Sequence, residues 1–424
     1  MDMLILKDVR CFHGLHELPL APLTILIGEN STGKSTILAA TRLAWDVGCA
    51  LVEPDFNEAP FDWGAYDQIA HFRSGRGGRA KTFLIGFERV LAKDRVRVEA
   101  TFAQRGAQAR LSKWHVESKQ ASMSLEYAAN VDDATVVLKA GPWHHSAQLK
   151  QAAFESRIAF HYAMMALRGT EMGLRGTEPV PKEARAMLEP LLFRLRTRPT
   201  DRPHAIAPIR TKPRRTYDRR KETYDPEGEH VPMILAGTKS ADPEKWTDLR
   251  KSLREFGSES GLFRSVNVKQ LGRKEGDPFQ VQIDIAGPAT NLVDVGYGVS
   301  QILPIAVDCL TTNPGQMLLM QQPEVHLHPR AQAQLGSFLG YLVKKRRNRF
   351  VIETHSDYLI DRVRLDVRDK KFLGPDDVSL LYCERKGVEV DVCRIPLDAE
   401  GNLLNPPPGY RRFFLDEEKR LFGG

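Results

Sequence analysis

The pattern of hydrophobic and polar positions divides the chain into three kinds of segment. Short, unbroken apolar runs at Leu23–Ile27, Gln316–Met320 and Arg349–Ile352 predict buried strands. Between residues 80 and 145, short polar and apolar runs alternate, which predicts an antiparallel sheet. From about residue 148 to residue 195 the spacing becomes helical. The pattern therefore predicts an α/β protein with a sheet core, an antiparallel β lobe and a helical insertion.

The same pattern suggests how the chain is organised. We expect an N-terminal lobe over residues 1–147, a helical insertion with a basic loop over 148–260, and a C-terminal lobe over 261–424. Inside the insertion, LRGTEMGLRGTE (Leu167–Glu178) contains a short tandem echo, which we interpret as a loop expansion. No heptad pattern is sustained over a long stretch, so we expect a compact head without a long coiled coil.

The segment after the first apolar run has the chemistry of a phosphate-binding loop. Gly28 to Ser35 spells G-x-x-x-x-G-K-S, and a helix-compatible run follows it. Glycines let backbone amides surround a phosphate, Lys34 can neutralise the β- and γ-phosphates, and the Ser35 hydroxyl can ligate Mg²⁺. An incidental glycine turn before a helix is the alternative. We predict that ATP is bound by Gly28, Asn30, Ser31, Thr32, Gly33, Lys34, Ser35 and Thr36.

The second apolar run ends in LLMQQPEVHLHP, where a nucleotide-hydrolysing enzyme normally carries acids. Gln321 and Gln322 stand in place of a metal-ordering carboxylate and a base. A glutamine keeps the shape of glutamate but neither holds Mg²⁺ strongly nor accepts a proton. We place Gln321 at the metal and expect hydrolysis to fall far more than ATP binding. Either the site is a naturally degenerate ATP sensor, or the glutamine is a deliberate Glu→Gln change that traps ATP.

Two further segments supply candidate site residues. The third apolar run continues into ETHSD, which puts Glu353 and His355 at the strand edge where open α/β sheets bind ligands. His355 could hydrogen-bond the γ-phosphate, and a satisfied core histidine is the alternative. In DVGYGVSQ, Gly298 and Ser300 precede an apolar run and could form a second anion site at a helix N-terminus. A glycine turn with a helix cap is the alternative there.

Together these motifs resemble those of ABC-type ATPase heads of the SMC/RecF/OLD group, and more closely the small prokaryotic AAA-type ATPases. GENSTGKST is similar to Walker A, QQPE overlays Walker B and the catalytic position, HLHP overlays the D-loop, and ETHSD supplies the switch histidine. DVGYGVSQ takes the place of the ABC signature. The resemblance implies an ABC-ATPase head with a mixed P-loop sheet, ATP and Mg²⁺ as cofactors, and catalytic positions at Gln321, Gln322 and His355.

The resemblance also implies partners and a role. ATP would lie between two subunits, with Walker A of one facing Gly298 and Ser300 of the other, so a homodimer is implied. Relatives by resemblance act in anti-phage defence, where an ATPase gates a separate effector such as a nuclease. A RecF-like DNA-repair ATPase and a non-hydrolysing, ATP-dependent regulatory scaffold are the alternatives. In the resembling group the strand end commonly reads EQPE or EEPE, so Gln321 is the departure.

Charge and cysteine usage change this picture only locally. The five cysteines are scattered and form no CxxC pair, which fits a reducing cytosol, and no apolar run is long enough for a membrane span. We therefore predict a cytoplasmic protein without a membrane partner. The net charge is +7, and eleven of the 61 Lys and Arg fall between Arg194 and Lys221. This segment suits contact with a nucleic-acid backbone, with a solvated loop or a docking face for an acidic partner as alternatives.

Overall fold

The computed structural model of the protein describes most of its 424 residues. The described ranges are 1–50, 54–73, 78–91, 94–128, 133–149, 180–195, 202–218, 223–274, 276–410 and 419–420. The tandem segment Leu167–Glu178 lies outside them. So do five positively charged residues of the basic segment, namely Arg196, Arg198, Arg219, Arg220 and Lys221.

Within these ranges the strands form an eight-stranded, a six-stranded, a three-stranded and a two-stranded sheet. In chain order the strands are β1 (Met3–Val9), β2 (Phe12–Pro19), β3 (Leu23–Gly28), β4 (Phe72–Arg73), β5 (Gly78–Arg79), β6 (Thr82–Leu91), β7 (Asp94–Arg105), β8 (Gln108–Glu117), β9 (Ala121–Tyr127), β10 (Ala134–Ala140), β11 (Trp143–Leu149), β12 (His204–Ile206), β13 (Ser265–Gln270), β14 (Phe279–Asp284), β15 (Thr290–Asn291), β16 (Met317–Gln321), β17 (Arg349–Glu353), β18 (Val378–Lys386) and β19 (Glu389–Ile395).

The α-helices of the described residues fall mainly in the second half of the chain. They are α1 (Lys34–Trp45), α2 (Tyr66–Ile69), α3 (Lys182–Leu195), α4 (Val231–Ala241), α5 (Pro243–Ser260), α6 (Tyr297–Thr311), α7 (Pro329–Arg346) and α8 (Asp357–Arg368). The longest, α5 and α7, have 18 residues each. The described part of the chain therefore contains no long coiled coil, as predicted. None of its helices has the length and apolar character needed to cross a bilayer.

The eight-stranded sheet is the antiparallel lobe that the sequence predicts. Its order is β11-β10-β9-β8-β7-β6-β1-β2, so consecutive strands from β6 to β11 are neighbours. Along β7, buried and partly exposed residues alternate, because one face of an antiparallel sheet packs on a core while the other meets solvent. Trp114 anchors the buried face by donating its indole N–H to the Val47 carbonyl (3.0 Å).

The six-stranded sheet has the order β12-β16-β17-β3-β18-β19 and contains the strands that carry the motifs. The pairings of β12 with β16, β16 with β17, and β17 with β3 are parallel. Leu23 to Ile27 and Phe350 to Glu353 are buried without interruption, as expected for parallel strands covered on both faces. All three apolar runs predicted as strands are therefore confirmed, and they occupy adjacent positions in one sheet.

The chain forms two compact units, each assembled from separated stretches. The first contains residues 1–20, 28–203 and 383–393, and the second contains 21–27, 204–382 and 394–424. This differs from the three-part division expected from the sequence. Within the supposed helical insertion, β12 pairs with β16 (His204 opposite Leu318) and so belongs to the central sheet. A three-residue strand is too short to show strand periodicity, which is why the pattern missed it.

Candidate nucleotide site

The loop between β3 and α1 has a backbone that only glycine can adopt at two positions. Gly28 has φ +139°, and a Cβ there would lie 2.2 Å from the Cys383 carbonyl oxygen. Gly33 has φ +83°, and its Cβ would lie 2.6 Å from Cys11 Sγ. Both conformations are unfavourable for residues with a side chain. The two glycines of the motif are therefore required by the fold of the loop, which is the fold that a phosphate cradle needs.

Lys34 places its ammonium group inside this loop. Its side chain is buried, and Nζ donates to the carbonyl oxygens of Gly28 (2.9 Å) and Glu29 (2.6 Å). The Thr32 hydroxyl also donates to Glu29 O (2.8 Å) and closes the loop from the other side. A desolvated cation at the N-terminus of α1 is the arrangement that attracts a polyphosphate.

Arg385 is a second cation at the loop, and sequence reasoning missed it. It lies on β18, and its guanidinium donates to the Ser31 carbonyl oxygen. Ser31 itself has φ +61°, which a residue with a side chain adopts only rarely. No local signal could have linked Arg385 to a loop more than 350 residues earlier in the sequence. Asn30 is exposed in the same loop, Ser35 is half-buried, and Thr36 is buried in the first turn of α1.

The turn after β16 is also strained, but its chemistry is different. Gln321 is half-buried and lies opposite Glu353 in the parallel register of β16 and β17. The next residue, Gln322, has φ +43° and donates its amide to the Glu353 carbonyl (2.8 Å). His326 has φ +68°. Two residues other than glycine thus have left-handed backbone conformations within one short turn. Such conformations are unfavourable and are often found at functional sites.

A buried acid sits two residues beyond the glutamines. Glu324 is 6% exposed, and its Oε1 accepts the backbone N–H of His355 (2.8 Å). Its Oε2 is buried without a hydrogen-bond partner among the described residues. Burial raises the pKa of Glu324, although the hydrogen bond from the His355 amide and the positive charge of Arg210 act to lower it. A buried oxygen of this kind favours either a proton or a cation, so Glu324 fits a site that holds Mg²⁺.

Arg210 supplies the charge next to this acid. It is 1% exposed, and it donates to the Gln301 carbonyl (3.1 Å), the Pro323 carbonyl (3.3 Å) and the Pro208 carbonyl. Burial lowers the pKa of Arg210 to about 10. The Arg210 guanidinium therefore links the segment that follows β12 to the turn after β16.

The residues predicted as the switch and signature positions lie after β17 and in α6, and their chemical roles stay predictions. His355 is exposed and is the second residue after the end of β17. Gly298 lies in the first turn of α6, where a Cβ would be 2.8 Å from the His326 carbonyl oxygen. Ser300 is 4% exposed and donates its hydroxyl to Tyr297 O (2.8 Å). In this conformation the Ser300 hydroxyl is used within its own helix, while Gly298 allows close packing against the D-loop backbone.

The arginines of the basic segment whose side chains are described form ion pairs or are buried. Arg202 forms a two-sided ion pair with Asp46 (2.7 Å) and Glu58 (2.6 Å), and although burial opposes its charge, these acids raise the pKa of Arg202. Arg210 is buried, as described above. Arg214 pairs with Glu229, and Arg215 pairs with Asp294 (2.6 Å). Among the described side chains of this segment, most arginines therefore have structural roles. The sequence did not suggest these roles, because it does not show which acids pair with the arginines.

The strand–loop–helix element and its parallel neighbours in the six-stranded sheet have the arrangement of a phosphate-binding loop, and a separate antiparallel sheet accompanies them. A family model described as "AAA domain, putative AbiEii toxin, Type IV TA system" matches residues 184–361. The match includes β16, the glutamine turn and His355, and it does not reach the phosphate loop. No curated protein matches the sequence.

Several solved structures are similar to this chain. One is an Smc head bound to the C-winged helix domain of ScpA, with 10% identity, a TM-score of 0.48, and coverage of 93% of this chain and 98% of that one. Another is an Smc head domain with an extended coiled coil from Pyrococcus furiosus, with 9% identity, a TM-score of 0.45 and 99% coverage of both chains. A third is the SMC head domain from Thermotoga maritima, with 11% identity, a TM-score of 0.39, and coverage of 94% and 100%.

Proposed function

We propose that the protein binds Mg·ATP at the phosphate loop and forms a homodimer around it. The observation that carries the proposal is the conformation of the loop, with two obligatory glycines and the buried Lys34 ammonium. Ser35 and Gln321 would contact the metal, and His355 would contact the γ-phosphate. Gly298 and Ser300 of the second subunit would complete the phosphate shell. Mg²⁺, when bound, would neutralise the β- and γ-phosphate charge.

Hydrolysis in this chain would be slow. Gln321 and Gln322 hold the backbone of the strand end in place but provide no carboxylate to order a metal or to accept a proton. Glu324 lies three residues beyond Gln321 and one of its carboxylate oxygens accepts the His355 amide, so it does not occupy the position of the missing carboxylate. The glutamine turn therefore supports an ATP-dependent switch whose bound state persists.

We further propose that this cytoplasmic switch gates a separate effector, a nuclease, in a prokaryotic defence system. The family model that matches residues 184–361 is named for a toxin of a toxin–antitoxin system, which is consistent with control of a harmful activity. A non-hydrolysing regulatory scaffold is the second candidate, and Gln321 favours it. The internal pairing of the basic segment disfavours a RecF-like role in DNA binding.

The test of dimerisation uses light scattering with and without Mg·ATP, together with direct measurement of ATP affinity. We expect the parent to shift from monomer to dimer, and Lys34→Ala to lose the shift and at least a hundredfold in affinity. Lys7→Ala removes an exposed lysine of β1 and serves as the matched control. A parent that binds ATP without dimerising would reject the ATP-dependent dimer, both for the switch and for the scaffold alternative. A parent that does not bind ATP at all would overturn the proposal.

The gating role needs the neighbouring gene product. If the adjacent gene encodes a small nuclease, we expect the two purified proteins to associate and ATP to change the nuclease rate. In the same assay, Lys34→Ala should lose the effect of ATP on that rate. An unchanged rate with a fully ATP-bound parent would reject gating while leaving ATP binding intact.

A further inference from the structure

The end of β1 contains a buried acid, Asp8, at a point where the regular pairing with β2 is interrupted. The register shifts between Lys7 and Val9, and Asp8, at the shift, has φ +55° and is 6% exposed. A bulge of this kind redirects a side chain. The Asp8 carboxylate accepts the backbone N–H of Gly14 (3.0 Å) and lies 3.3 Å from His13 Nδ1. His13 is thus oriented by a carboxylate on one of its two ring nitrogens.

His71 is oriented in the same way by a carbonyl oxygen. It is 1% exposed, and its backbone N–H donates to Asp8 O (2.9 Å), which fixes it beside the turn. Its Nδ1 lies 2.7 Å from Arg10 O. A carbonyl oxygen can only accept, so Nδ1 carries the hydrogen and Nε2 carries the lone pair. The buried imidazole therefore has a fixed tautomer with a free electron pair on the outer nitrogen.

A carboxylate from a distant part of the chain completes the group. Glu389 begins β19, and the amide of the next residue, Val390, donates to Cys11 O (3.0 Å), which holds this strand against the turn. One ligand atom each from His13, His71 and Glu389 lies within 4.8 Å of the others. Two histidines and a carboxylate from three separate segments of the first unit thus converge on one point.

We propose that His13, His71 and Glu389 bind a divalent transition-metal ion of the Zn²⁺ class. The donor set of two imidazoles and one carboxylate suits such ions. The outer contacts also fit, because metal-binding histidines usually have their other ring nitrogen on a carboxylate or a backbone carbonyl, as Asp8 and Arg10 provide here. Ligand atoms around tetrahedral Zn²⁺ lie roughly 3.3 Å apart, whereas those of His13, His71 and Glu389 lie within 4.8 Å of one another. The side chains of His13 and Glu389 are exposed, so they can rotate to bring their ligand atoms closer together.

The bound ion would brace the turn that supports the phosphate loop. It would join the start of β2, the segment before β4, and β19, which are far apart in sequence. The two residues before His13, Cys11 and Phe12, lie against Gly33. We therefore expect metal binding to stabilise the first unit against heat, independently of whether ATP is bound.

The experiment uses the full chain, stripped with a chelator and then titrated with ZnCl₂ by calorimetry, with Co²⁺ absorption as a second probe. We expect one ion per chain and a rise in melting temperature. His13→Ala and Glu389→Gln should each weaken binding at least tenfold while leaving the metal-free melting temperature unchanged, since both side chains are exposed. His144→Ala, which removes an exposed histidine of β11, is the control that should bind as the parent does.

A second variant separates this site from the cluster of His204, His230 and Asp308, which has the same residue types. His204→Asn should leave Zn²⁺ binding unchanged. If the parent binds no Zn²⁺, or if His13→Ala and Glu389→Gln bind as tightly as His144→Ala, the proposal is overturned. Loss of the ion in His204→Asn alone would also overturn it and assign the metal to the other cluster.

Discussion

The loop after β3 and the turn after β16 follow strands of the same sheet, and both contain residues with a left-handed backbone. They differ in the sign of the charge that they surround. The loop surrounds a cation, with carbonyl oxygens directed at Lys34 Nζ. The turn surrounds an anion, with the His355 amide and Arg210 near Glu324. The loop retains every residue type that phosphate binding needs. The turn has glutamines, Gln321 and Gln322, at the strand end and a carboxylate, Glu324, only beyond it.

Under the proposed function, this difference means that nucleotide binding and nucleotide turnover would depend on separate structural elements. Binding would depend on the backbone shape that Gly28 and Gly33 allow and on the Lys34 ammonium group. Turnover would depend on the side chain at the end of β16, where a glutamine has the shape of a glutamate without its charge. Turnover could therefore be reduced while binding remains.

The largest effect should come from removing the charge beside the buried acid. Arg210→Met removes the positive charge near the buried Glu324 and takes one hydrogen bond from each of three carbonyl oxygens. Because the charge is buried and hydrogen-bonded, its removal should cost about 3–5 kcal/mol. Urea denaturation should show this loss of stability at pH 8, and the double variant Arg210→Met/Glu324→Gln should recover a large part of it. Equal losses in the single and double variants would mean that Arg210 acts only through the carbonyls.

The same variant should also depend on pH. Burial raises the pKa of Glu324 above its unfolded value of 4.5. The stability that protonated Glu324 contributes is therefore fully present below pH 4.5 and is lost as the pH rises through the folded pKa. We expect the penalty of Arg210→Met to be smaller at pH 5 than at pH 8. A penalty that does not change between these two pH values would show that Glu324 is not the group left uncompensated.

A substitution at Gly28 tests whether close packing constrains the loop after β3. In Gly28→Ala the new methyl group would lie 2.2 Å from the Cys383 carbonyl, in a conformation unfavourable for alanine. Overpacking and strain together should cost about 3 kcal/mol, and ATP affinity should fall with the loop geometry. Gly106→Ala has φ +61° but nothing within 4 Å, so it should cost only about 1–2 kcal/mol. If the two variants unfold at the same denaturant concentration, the contact with Cys383 does not constrain the loop.

How well each region can be predicted from the sequence depends on how far apart in the sequence its interacting residues lie. The loop after β3 could be predicted from the sequence because its glycines, lysine and hydroxyl are neighbours in the chain, while its binding of phosphate stays a prediction. The three buried strands were predicted because parallel strands give continuous apolar runs. The roles of Arg202, Arg210 and Arg385 were not predictable, since their partners lie about 90 to 350 residues away. A run of arginines looks like a nucleic-acid surface until the acids that fold against it are known.

Restoring the acid tests the turn side of the comparison. Gln321→Glu should raise the ATP turnover rate at least about tenfold, equivalent to about 1.4 kcal/mol in the barrier, while ATP affinity changes little. Gln322→Glu, one residue further on, is the matched variant and should show which of the two positions limits hydrolysis. Lys34→Ala/Gln321→Glu should abolish any gain, which excludes a contaminating ATPase. Parent-like turnover in Gln321→Glu would leave the ATP sensor as the better description.

The smallest effect concerns the basic segment, where the sequence and the structure lead to different expectations. Each phosphate contact adds about 0.9 to the slope of log affinity against log salt. Because Arg214 and Arg215 are paired with Glu229 and Asp294, we expect Arg214→Gln/Arg215→Gln to change that slope for DNA by less than about 1. Arg368→Gln/Lys386→Gln removes two exposed, paired cations outside the segment and is the control. A slope lower by about 2 in the first variant alone would show that both arginines exchange their acids for phosphates, so that the paired state is only one of two functional states of this segment.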